Sequence, residues 1–245
     1  MPENGLAGVT AAVLAGGLGT RLRSVVADRP KVLAPVAGRP FLAHLLEQLS
    51  RAGVGEAVLL VGHGADQVRA AFGGSHAGVR LSYSAEPEPL GTGGAVRLAL
   101  PLLRGETLLL LNGDSYCDLD LAAFLRFHRG RRPAASLALA RVGDPARFGR
   151  VVTGPGGRVE RFEEKDPAPA PGWINAGVYL IDRDLVTAIP AGRPVSLERE
   201  ILPGWVGSGR AYGFAGGGRF IDIGVPESYT AADRFFASAG PDHSG

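Results

Sequence analysis

The strongest constraint on the fold is an alternation of apolar strands with helical segments through the first 130 residues. Strands are predicted at 10–15, 56–62, 79–84 and 106–114, and helices at 41–52, 65–73, the first half of 93–103, and 119–130. Strands that alternate with helices form a parallel sheet with helices on both faces. Ligands of such sheets bind at the carboxyl ends of the strands, so we expect the site at that edge.

After about residue 133 the pattern changes to short strands separated by turn residues. They are "ASLALAR", "GRVVTG", "GRVERFEE" and "AGVYLID". We expect this β-rich second half to extend the same sheet. The predicted class is therefore α/β, with a Rossmann-like, mixed and mostly parallel sheet flanked by helices. A proline-rich loop is predicted at 165–173, and the tail 237–245 is expected to be disordered.

Composition and charge exclude several classes of function. The net charge is only +2 and the arginines are spread along the chain, which argues against a nucleic-acid partner. No run approaches the roughly 18 apolar residues of a membrane span, and no secretion signal is recognisable. The single cysteine, Cys117, excludes an internal disulfide and fits a reducing compartment. We expect a cytoplasmic protein with no membrane partner.

Lysine is almost absent from the chain. Of the 26 basic residues only two are lysines, Lys31 and Lys165. Lysine presents a compact point charge, whereas arginine presents a wide planar fork, so the two are not equivalent donors. Both positions are candidates for a site that requires the compact cation, although chance retention is the alternative.

The segment "AVLAGGLGTRLRS" (12–24) joins a strand, a glycine cluster and cations, which is typical of a phosphate site. The Walker pattern fails, because no Gly-Lys-Ser/Thr follows at the required spacing. The dinucleotide fingerprint also fails, since Gly17 and Gly19 fit but Leu22 stands where the third glycine belongs. A phosphate bound here would be held in a third way.

Small residues and one arginine could hold an anion in this turn. Glycines allow close backbone approach, a hydroxyl adds a donor, and a guanidinium grips phosphate with two donors. The residues concerned are Gly16, Gly17, Gly19, Thr20 and Arg21. Pro30 then fixes the chain just before Lys31. The alternative is a glycine-rich turn with solvated arginines.

Two aspartates follow or interrupt apolar runs. Asp114 ends "LLLLNGD", where it could meet Mg²⁺, although Asn-Gly-Asp is also ordinary turn chemistry. Asp222 lies within "FIDIG", where a bare carboxylate is costly to bury and needs a partner. Arg219 is one candidate partner, and a metal shared with Asp114 is the other.

Together these segments resemble the sugar-1-phosphate nucleotidyltransferases. The resemblance covers residues 10–236 through "GGLGTRL" with "PK", "EPLGTGGA", "NGD", "EEK", "NAGVY" and "DIGVPE". The run "GTRLRSVVADRPKVLAPVAGRPFL" is most similar to the D-glycero-α-D-manno-heptose 1-phosphate guanylyltransferase branch. The resemblance implies the nucleotide-diphospho-sugar transferase fold as one domain, 1–245. About 10–133 would bind nucleotide and about 134–236 would bind sugar phosphate.

The resemblance also assigns residues to roles. Catalysis would fall to Arg21, Lys31, Asp114, Lys165 and Asp222, with Mg²⁺ held by Asp114 and Asp222. Nucleotide would contact Ala15, Gly16, Gly17, Gly19, Thr20, Arg21, Glu86, Gly91, Thr92 and Gly93. The sugar phosphate would contact Gly149, Glu164, Lys165, Asn175 and Gly177.

The implied reaction transfers a nucleotidyl group from an NTP to a sugar 1-phosphate. GTP is favoured, because the Glu86 carboxylate could accept from both adjacent donors of guanine. Heptose 1-phosphate is the favoured acceptor. The alternatives are UTP, ATP or dTTP with mannose, glucose or N-acetylmuramic acid 1-phosphate, or a non-catalytic regulator that binds nucleotide sugars. The partners would be these small molecules, with a homodimer left open.

Overall fold

The structure is a computed structural model. It describes residues 6, 8–17, 19–22, 24–145, 147–148, 150–163 and 171–238. Most of the predicted proline-rich loop and of the predicted disordered tail lies outside these residues. The same is true of three predicted site residues: Gly149, Glu164 and Lys165.

Fourteen strands are found in the described residues. They are β1 Thr10–Leu14, β2 Pro35–Val36, β3 Arg39–Pro40, β4 Glu56–Val61, β5 Ser75–His76, β6 Val79–Ala85, β7 Thr107–Asn112, β8 Ser115–Leu119, β9 Ala135–Val142, β10 Arg150–Thr153, β11 Val159–Glu163, β12 Gly172–Asp182, β13 Ala211–Phe214 and β14 Gly217–Asp222.

Seven α-helices accompany these strands. They are α1 Phe41–Arg51, α2 Ala65–Phe72, α3 Gly91–Ala99, α4 Leu121–Arg131, α5 Arg183–Thr187, α6 Leu202–Gly207 and α7 Pro226–Ala237. Short 3₁₀ turns cover Thr20–Leu22 and Lys31–Leu33, and a π-helical turn, Leu197–Ile201, leads into α6.

The predicted parallel sheet with helices on both faces is confirmed. Strands β7, β1, β4 and β6 lie side by side in parallel. Strand β7 is buried on both faces, because Leu109 and Leu111 join one core cluster while Leu108 and Leu110 join the other. The run of leucines therefore reads as continuous apolar sequence without alternation.

The β-rich second half extends the same sheet, as expected. Strand β12 pairs antiparallel with β7, with Val178 opposite Leu111. Strand β9 pairs antiparallel with β12, and β13 pairs parallel with β9. Strands β10 and β11 complete that edge. The mixed sheet is thus parallel in its first half and mainly antiparallel in its second.

The predicted strand 106–114 is too long at its carboxyl end. Strand β7 ends at Asn112 because Gly113 and Asp114 form a turn, whose Gly113 N–H donates to the Leu14 carbonyl at 2.9 Å. The chain then enters β8, which pairs antiparallel with β14 in a separate two-stranded ladder. Sequence analysis did not predict β8, and this ladder places both candidate aspartates at its end.

The helices of the second half were also missed. Helix α7 begins with Pro226 in its first turn, where the missing N–H costs nothing. It packs on the β2–β3 hairpin, where Asp233 accepts from the Ala37 N–H at 2.7 Å and the Tyr229 hydroxyl donates to the Pro35 carbonyl at 2.8 Å. Helix α7 therefore closes the molecule beside the β8–β14 ladder.

Candidate functional site

A cleft of about 670 Å³ opens at the carboxyl ends of β1 and β7. Its position is the one predicted from the alternation of strands and helices. Eleven of the predicted site residues line it: Gly16, Gly17, Arg21, Lys31, Glu86, Gly91, Thr92, Asp114, Asn175, Gly177 and Asp222. Its volume is in the range of sites for small molecules and cofactors, roughly 300–1,000 Å³.

The glycine turn after β1 forms one wall, and its two glycines have different surroundings. A Cβ on Gly16 would lie 2.7 Å from Glu86 Oε1 and 3.0 Å from the Gly62 nitrogen, so glycine is required for packing. A Cβ on Gly17 would meet no atom of the described residues within 4 Å. Packing against these residues therefore does not require glycine at this position.

Other residues of this turn lie beside the cleft. Arg21 is exposed on the 3₁₀ turn Thr20–Leu22 and lines the cleft, whereas Thr20 does not. Gly19, at φ +61°, borders a smaller adjoining pocket of about 240 Å³ that also touches Lys31. Ala15 is buried, and its N–H donates to the Leu60 carbonyl at 2.8 Å.

Lys31 and Asp114 form an ion pair across the cleft floor. Lys31 opens the 3₁₀ turn that follows Pro30, and its Nζ lies 2.5 Å from Asp114 Oδ2. The lysine side chain is only 14% exposed and the aspartate 35%. The Lys31 ammonium is thus held beside the Asp114 carboxylate, in the turn that follows β7.

The β8–β14 ladder brings Asp222 beside Asp114. Asp222 is opposite Ser115 in the register, and the N–H of Ile223 donates to the Asp114 carbonyl at 2.8 Å. The two aspartates, 108 positions apart in the chain, therefore sit at the same end of the ladder and line the same cleft.

The partner of Asp222 is not Arg219, and that candidate was wrong. Arg219 Nε donates to Asp118 at 2.7 Å instead. The Nη2 of Arg147 donates to both carboxylate oxygens of Asp222, at 3.2 and 3.0 Å. Arg219 lies nearer the start of β14, between Gly217 and Phe220, where the register with β8 is irregular.

A divalent metal fits this donor set as an ion held by two protein carboxylates. Within the described residues no group of three or more His, Cys, Asp or Glu side chains could hold a metal ion. Two neighbouring carboxylates at the mouth of a cleft match the typical Mg²⁺ arrangement, in which one or two carboxylates are completed by substrate phosphates and water. Asp114 and Asp222 therefore fit a cation whose remaining ligands are water or substrate phosphates.

The first residues of α3 have two different surroundings. Gly91 and Thr92 line the cleft. Gly93 is buried, and its N–H donates to the Val195 carbonyl at 2.8 Å. A Cβ there would lie 3.2 Å from that oxygen, so Gly93 serves the close packing of α3 against the segment before α6.

Glu86 lies at the cleft with one oxygen already in use. Its Oε2 accepts from the Leu90 N–H at 2.7 Å, while Oε1 is the oxygen next to Gly16. Burial raises the pKa of the Glu86 carboxyl, and the Leu90 hydrogen bond partly offsets this. The carboxylate is thus held in place between the glycine turn and α3.

The opposite wall is a polar network on β12 and the turn before α6. Asn175 Nδ2 donates to the Tyr179 hydroxyl at 2.6 Å. Thr92 donates to Glu198 Oε2 at 2.7 Å and accepts from the Leu197 N–H at 2.8 Å. Burial raises the pKa of Tyr179 well above its ordinary value, and the Glu198 charge adds to it.

Gly177 needs glycine for two reasons. Its φ is +74°, and a Cβ would lie 2.7 Å from Asn112 Nδ2 and 2.8 Å from Ser115 Oγ. Its N–H donates to Asn175 Oδ1 at 3.1 Å. The bulge in the β9–β12 register lies at this point, so the backbone turns Asn175 toward the cleft.

Several cleft residues were not predicted. They are Asn112, Arg147, Phe162, Tyr179, Ser196, Glu198, Arg199 and Phe220, among others. Four of these lie inside quoted segments and so carried a signal: Asn112 in "NGD", Tyr179 in "NAGVY", Phe220 in "FIDIG" and Phe162 in "GRVERFEE".

A Rossmann-like sheet with a glycine turn, a fixed lysine and paired aspartates at its carboxyl edge defines an α/β protein whose cleft lies at the ends of the parallel strands. The chain belongs to the nucleotidyl transferase family, whose model matches residues 10–239.

Two relatives illustrate the range of the family. A mannose-1-phosphate guanylyltransferase of Mycobacterium tuberculosis is 42% identical over 224 residues, 90% of this chain and 62% of that protein. The D-glycero-alpha-D-manno-heptose 1-phosphate guanylyltransferase of Aneurinibacillus thermoaerophilus is 34% identical, over 91% of this chain and 96% of that protein. This chain therefore spans less than two thirds of the first relative and nearly all of the second.

Among solved structures, HddC from Yersinia pseudotuberculosis superposes with a TM-score of 0.82 at 32% identity. The match covers 93% of this chain and 99% of HddC, which has also been solved in complex with GMP-PN. This supports the predicted fold and family. In the part of the chain that the structure describes, no helix has the length and apolar character needed to cross a membrane.

Proposed function

We propose that this chain transfers a guanylyl group from GTP to a sugar 1-phosphate, releasing pyrophosphate. The relatives named above are guanylyltransferases, and their acceptors, mannose and manno-heptose 1-phosphates, share the manno configuration. We favour the heptose 1-phosphate because those relatives are matched along 96% of their length. Mannose 1-phosphate is the alternative, on the 42% identity of the first relative.

One observation carries the proposal. The ion pair of Lys31 with Asp114, with Asp222 beside it, lies in the same cleft as Gly16 and Gly17. The Lys31 ammonium and two carboxylates that could bind a metal therefore lie in the same cleft as the glycine turn, where the phosphates of a nucleotide could bind. We accordingly assign nucleotide to about 10–133 and the acceptor to about 134–236, within one domain.

The chemistry follows from charge. A sugar 1-phosphate is mostly dianionic near neutral pH, since its second pKa is ~6, so its oxygen needs no general base. That oxygen attacks the α-phosphorus of GTP, the bond to the bridging oxygen of the β-phosphate breaks, and pyrophosphate leaves. Two like unit charges at 4 Å repel by roughly 4 kcal/mol at an effective dielectric of 20. Lys31 and Arg21 would reduce this repulsion and position the reactants.

Mg²⁺ would be held by Asp114 and Asp222, together with phosphate oxygens of the substrate. When bound, it would supply positive charge to the phosphates during transfer. Lys31, already at 2.5 Å from Asp114, orients that carboxylate. Lys165 is proposed for the acceptor phosphate, with Glu164 and Gly149 nearby, on the family resemblance alone.

Base choice is assigned to Glu86. Guanine offers two adjacent donors, N1–H and the 2-amino group, which an acceptor-only carboxylate can receive together. The Leu90 N–H holds this carboxylate in place at the cleft. Uracil or thymine offers one such donor, and adenine pairs a donor with an acceptor.

Pyrophosphate release with Mg²⁺ tests the proposal. GTP, UTP, ATP and dTTP are each combined with heptose, mannose, glucose and N-acetylmuramic acid 1-phosphates. We expect the highest kcat/KM with GTP and a manno-configured acceptor. Turnover with another nucleotide only would refute guanylyl transfer. GDP-sugar binding without turnover in any combination would refute catalysis and favour a regulator that binds nucleotide sugars.

A further inference from the structure

Arg147 contacts the site at a carboxylate that the proposed function gives to a metal. Its Nη2 donates to Oδ1 of Asp222 at 3.2 Å and to Oδ2 at 3.0 Å. Asp222 Oδ2 also accepts from the Gly224 N–H at 2.9 Å. Both oxygens of Asp222 are therefore engaged, and Arg147 is the cation that neutralises them.

A divalent cation and this guanidinium require the same two oxygens. Both are positive, so they repel each other at short distance, and the repulsion is strong in a partly buried cleft. The Asp222 side chain is only 14% exposed, which limits its freedom to serve both at once. Binding of a cation to Asp222 therefore competes with the Arg147 ion pair.

Arg147 is suited to leave, whereas Lys31 is suited to stay. The Arg147 side chain is 44% exposed, against 14% for Lys31. The Arg147 guanidinium already lies 5.0 Å from the centre of the Phe148 ring, and this contact does not depend on Asp222. Because Phe148 lines the cleft, Arg147 can part from Asp222 and remain beside the cleft.

We propose that Arg147 is a resident counter-ion of Asp222 which a divalent cation displaces, and that the displaced guanidinium then binds the phosphate of the acceptor. This rests on the proposed function, in that Asp222 is taken as a metal ligand. Arg147 holds the carboxylate before the metal arrives and supplies positive charge for the second anion afterwards. Arg147 is thus a positioning residue before metal binding and an acceptor-binding residue after it.

The β8–β14 ladder supplies a matched control. Arg219 pairs with Asp118 at 2.7 Å, and both side chains are about as exposed as Arg147, at 41% and 38%. Neither lines the cleft. Arg219→Gln therefore removes an arginine that pairs with an aspartate at the other end of the ladder, without changing the groups around Asp222.

The first test measures binding of Mn²⁺ alone, with free Mn²⁺ detected by electron paramagnetic resonance and no nucleotide or sugar present. We expect Arg147→Gln to bind Mn²⁺ at least about threefold more tightly than the wild type, the scale set by a half-exposed ion pair. Arg147→Lys restores a cation and should return the affinity toward the wild type. Arg219→Gln should leave it unchanged, and Asp222→Asn should weaken it.

The outcomes separate the inference from the function beneath it. Unchanged or weaker Mn²⁺ binding in folded Arg147→Gln, with weaker binding in Asp222→Asn, overturns the counter-ion role and leaves the metal site standing. Wild-type binding in Asp222→Asn overturns Asp222 as a ligand and the inference with it. Circular dichroism establishes that each variant is folded, and Arg147→Ala replaces Arg147→Gln if the latter is not.

A second readout uses the acceptor that the turnover panel selects. We expect its KM to rise at least about threefold in Arg147→Gln while the KM for GTP stays the same. Tighter metal binding together with weaker acceptor binding is a combination that general loosening of the site would not produce. An unchanged acceptor KM would overturn the second half of the proposal.

Discussion

The β8–β14 ladder carries an arginine–aspartate pair at each end, and the two pairs are built differently. At the far end, Arg219 donates to Asp118, to the Phe235 carbonyl at 3.0 Å and to Ser238 Oγ at 2.9 Å. Its guanidinium also lies 4.5 Å from the centre of the Phe235 ring. These contacts fasten the end of α7 to the ladder.

At the cleft end, Arg147 reaches Asp222 through one nitrogen and comes from a different part of the chain. The neighbouring carboxylate, Asp114, is met by Lys31. The distance between an arginine and an aspartate therefore does not by itself show whether the pair is structural or functional. The arginine at the far end is tied to α7 by further hydrogen bonds and is structural, whereas the cations at the cleft end come from distant segments around one open cleft and indicate a site.

The largest effect is expected at the aspartates. Asp114→Asn should lower turnover at least ~100-fold, because it removes a carboxylate proposed to hold Mg²⁺ at the transferred phosphate. Asp118→Asn, on the same strand but outside the cleft, should stay within about twofold. Pyrophosphate release at saturating substrates measures both. Equal losses in the two variants would mean that the ends of the ladder do not differ in function.

Lys31→Gln tests the cation at the same end. We expect turnover to fall about tenfold or more, less than for Asp114→Asn because Arg21 also lines the cleft and supplies charge. Arg219→Gln should retain wild-type turnover. If Lys31→Gln keeps full activity, Lys31 serves only to hold Asp114, and the charge argument for the reaction fails.

Arg219→Gln should show its effect in stability instead. Loss of its hydrogen bonds to the end of α7 should cost about 1 kcal/mol or less, because the side chain is 41% exposed and screened by solvent. That corresponds to a fall in Tm of roughly 2–4 °C for a domain of this size. Thermal unfolding followed by circular dichroism measures it. A larger fall for Arg147→Gln than for Arg219→Gln would reverse the comparison.

The fold of the first half could be predicted because β1, β4 and β7 are buried on both faces and the helices carry an apolar stripe. Helix α7 could not, since Ala232 is its only fully buried residue among those the structure describes. Helix α6 itself contains Pro203 and Gly204, which normally mark a loop. These segments are helical because of tertiary contacts and not because of local pattern.

The site divides in the same way. Gly16, Lys31 and Asp114 follow strands or motifs and could be placed at one edge from sequence. Arg147 could not, because its partner is 75 positions away and the pairing depends on the register of β8 with β14. Glu198 reaches the cleft while Glu200, two residues on, pairs with Arg193. Only the phase of the helical turn distinguishes these two glutamates.

The smallest effect is expected at a third pair, His128 with Asp182, which lies away from both ends of the ladder. His128 is buried, with Nδ1 3.0 Å from Ser136 Oγ and Nε2 3.5 Å from Asp182. Burial lowers the pKa of His128 below its ordinary value of 6.5, and the Asp182 charge only partly offsets this. The unfolded chain therefore takes up the proton first, so stability falls as the pH drops below 6.5.

His128→Asn should reduce the fall in Tm between pH 7.5 and pH 5.5, with the remainder assigned to His44, whose pKa is also lowered by burial. Turnover should keep the pH profile of the wild type, because His128 does not line the cleft. This places the His128 pair with Arg219 and Asp118 as structural. An altered pH profile of turnover in His128→Asn, with an unchanged fall in Tm, would instead connect this buried pair to the site.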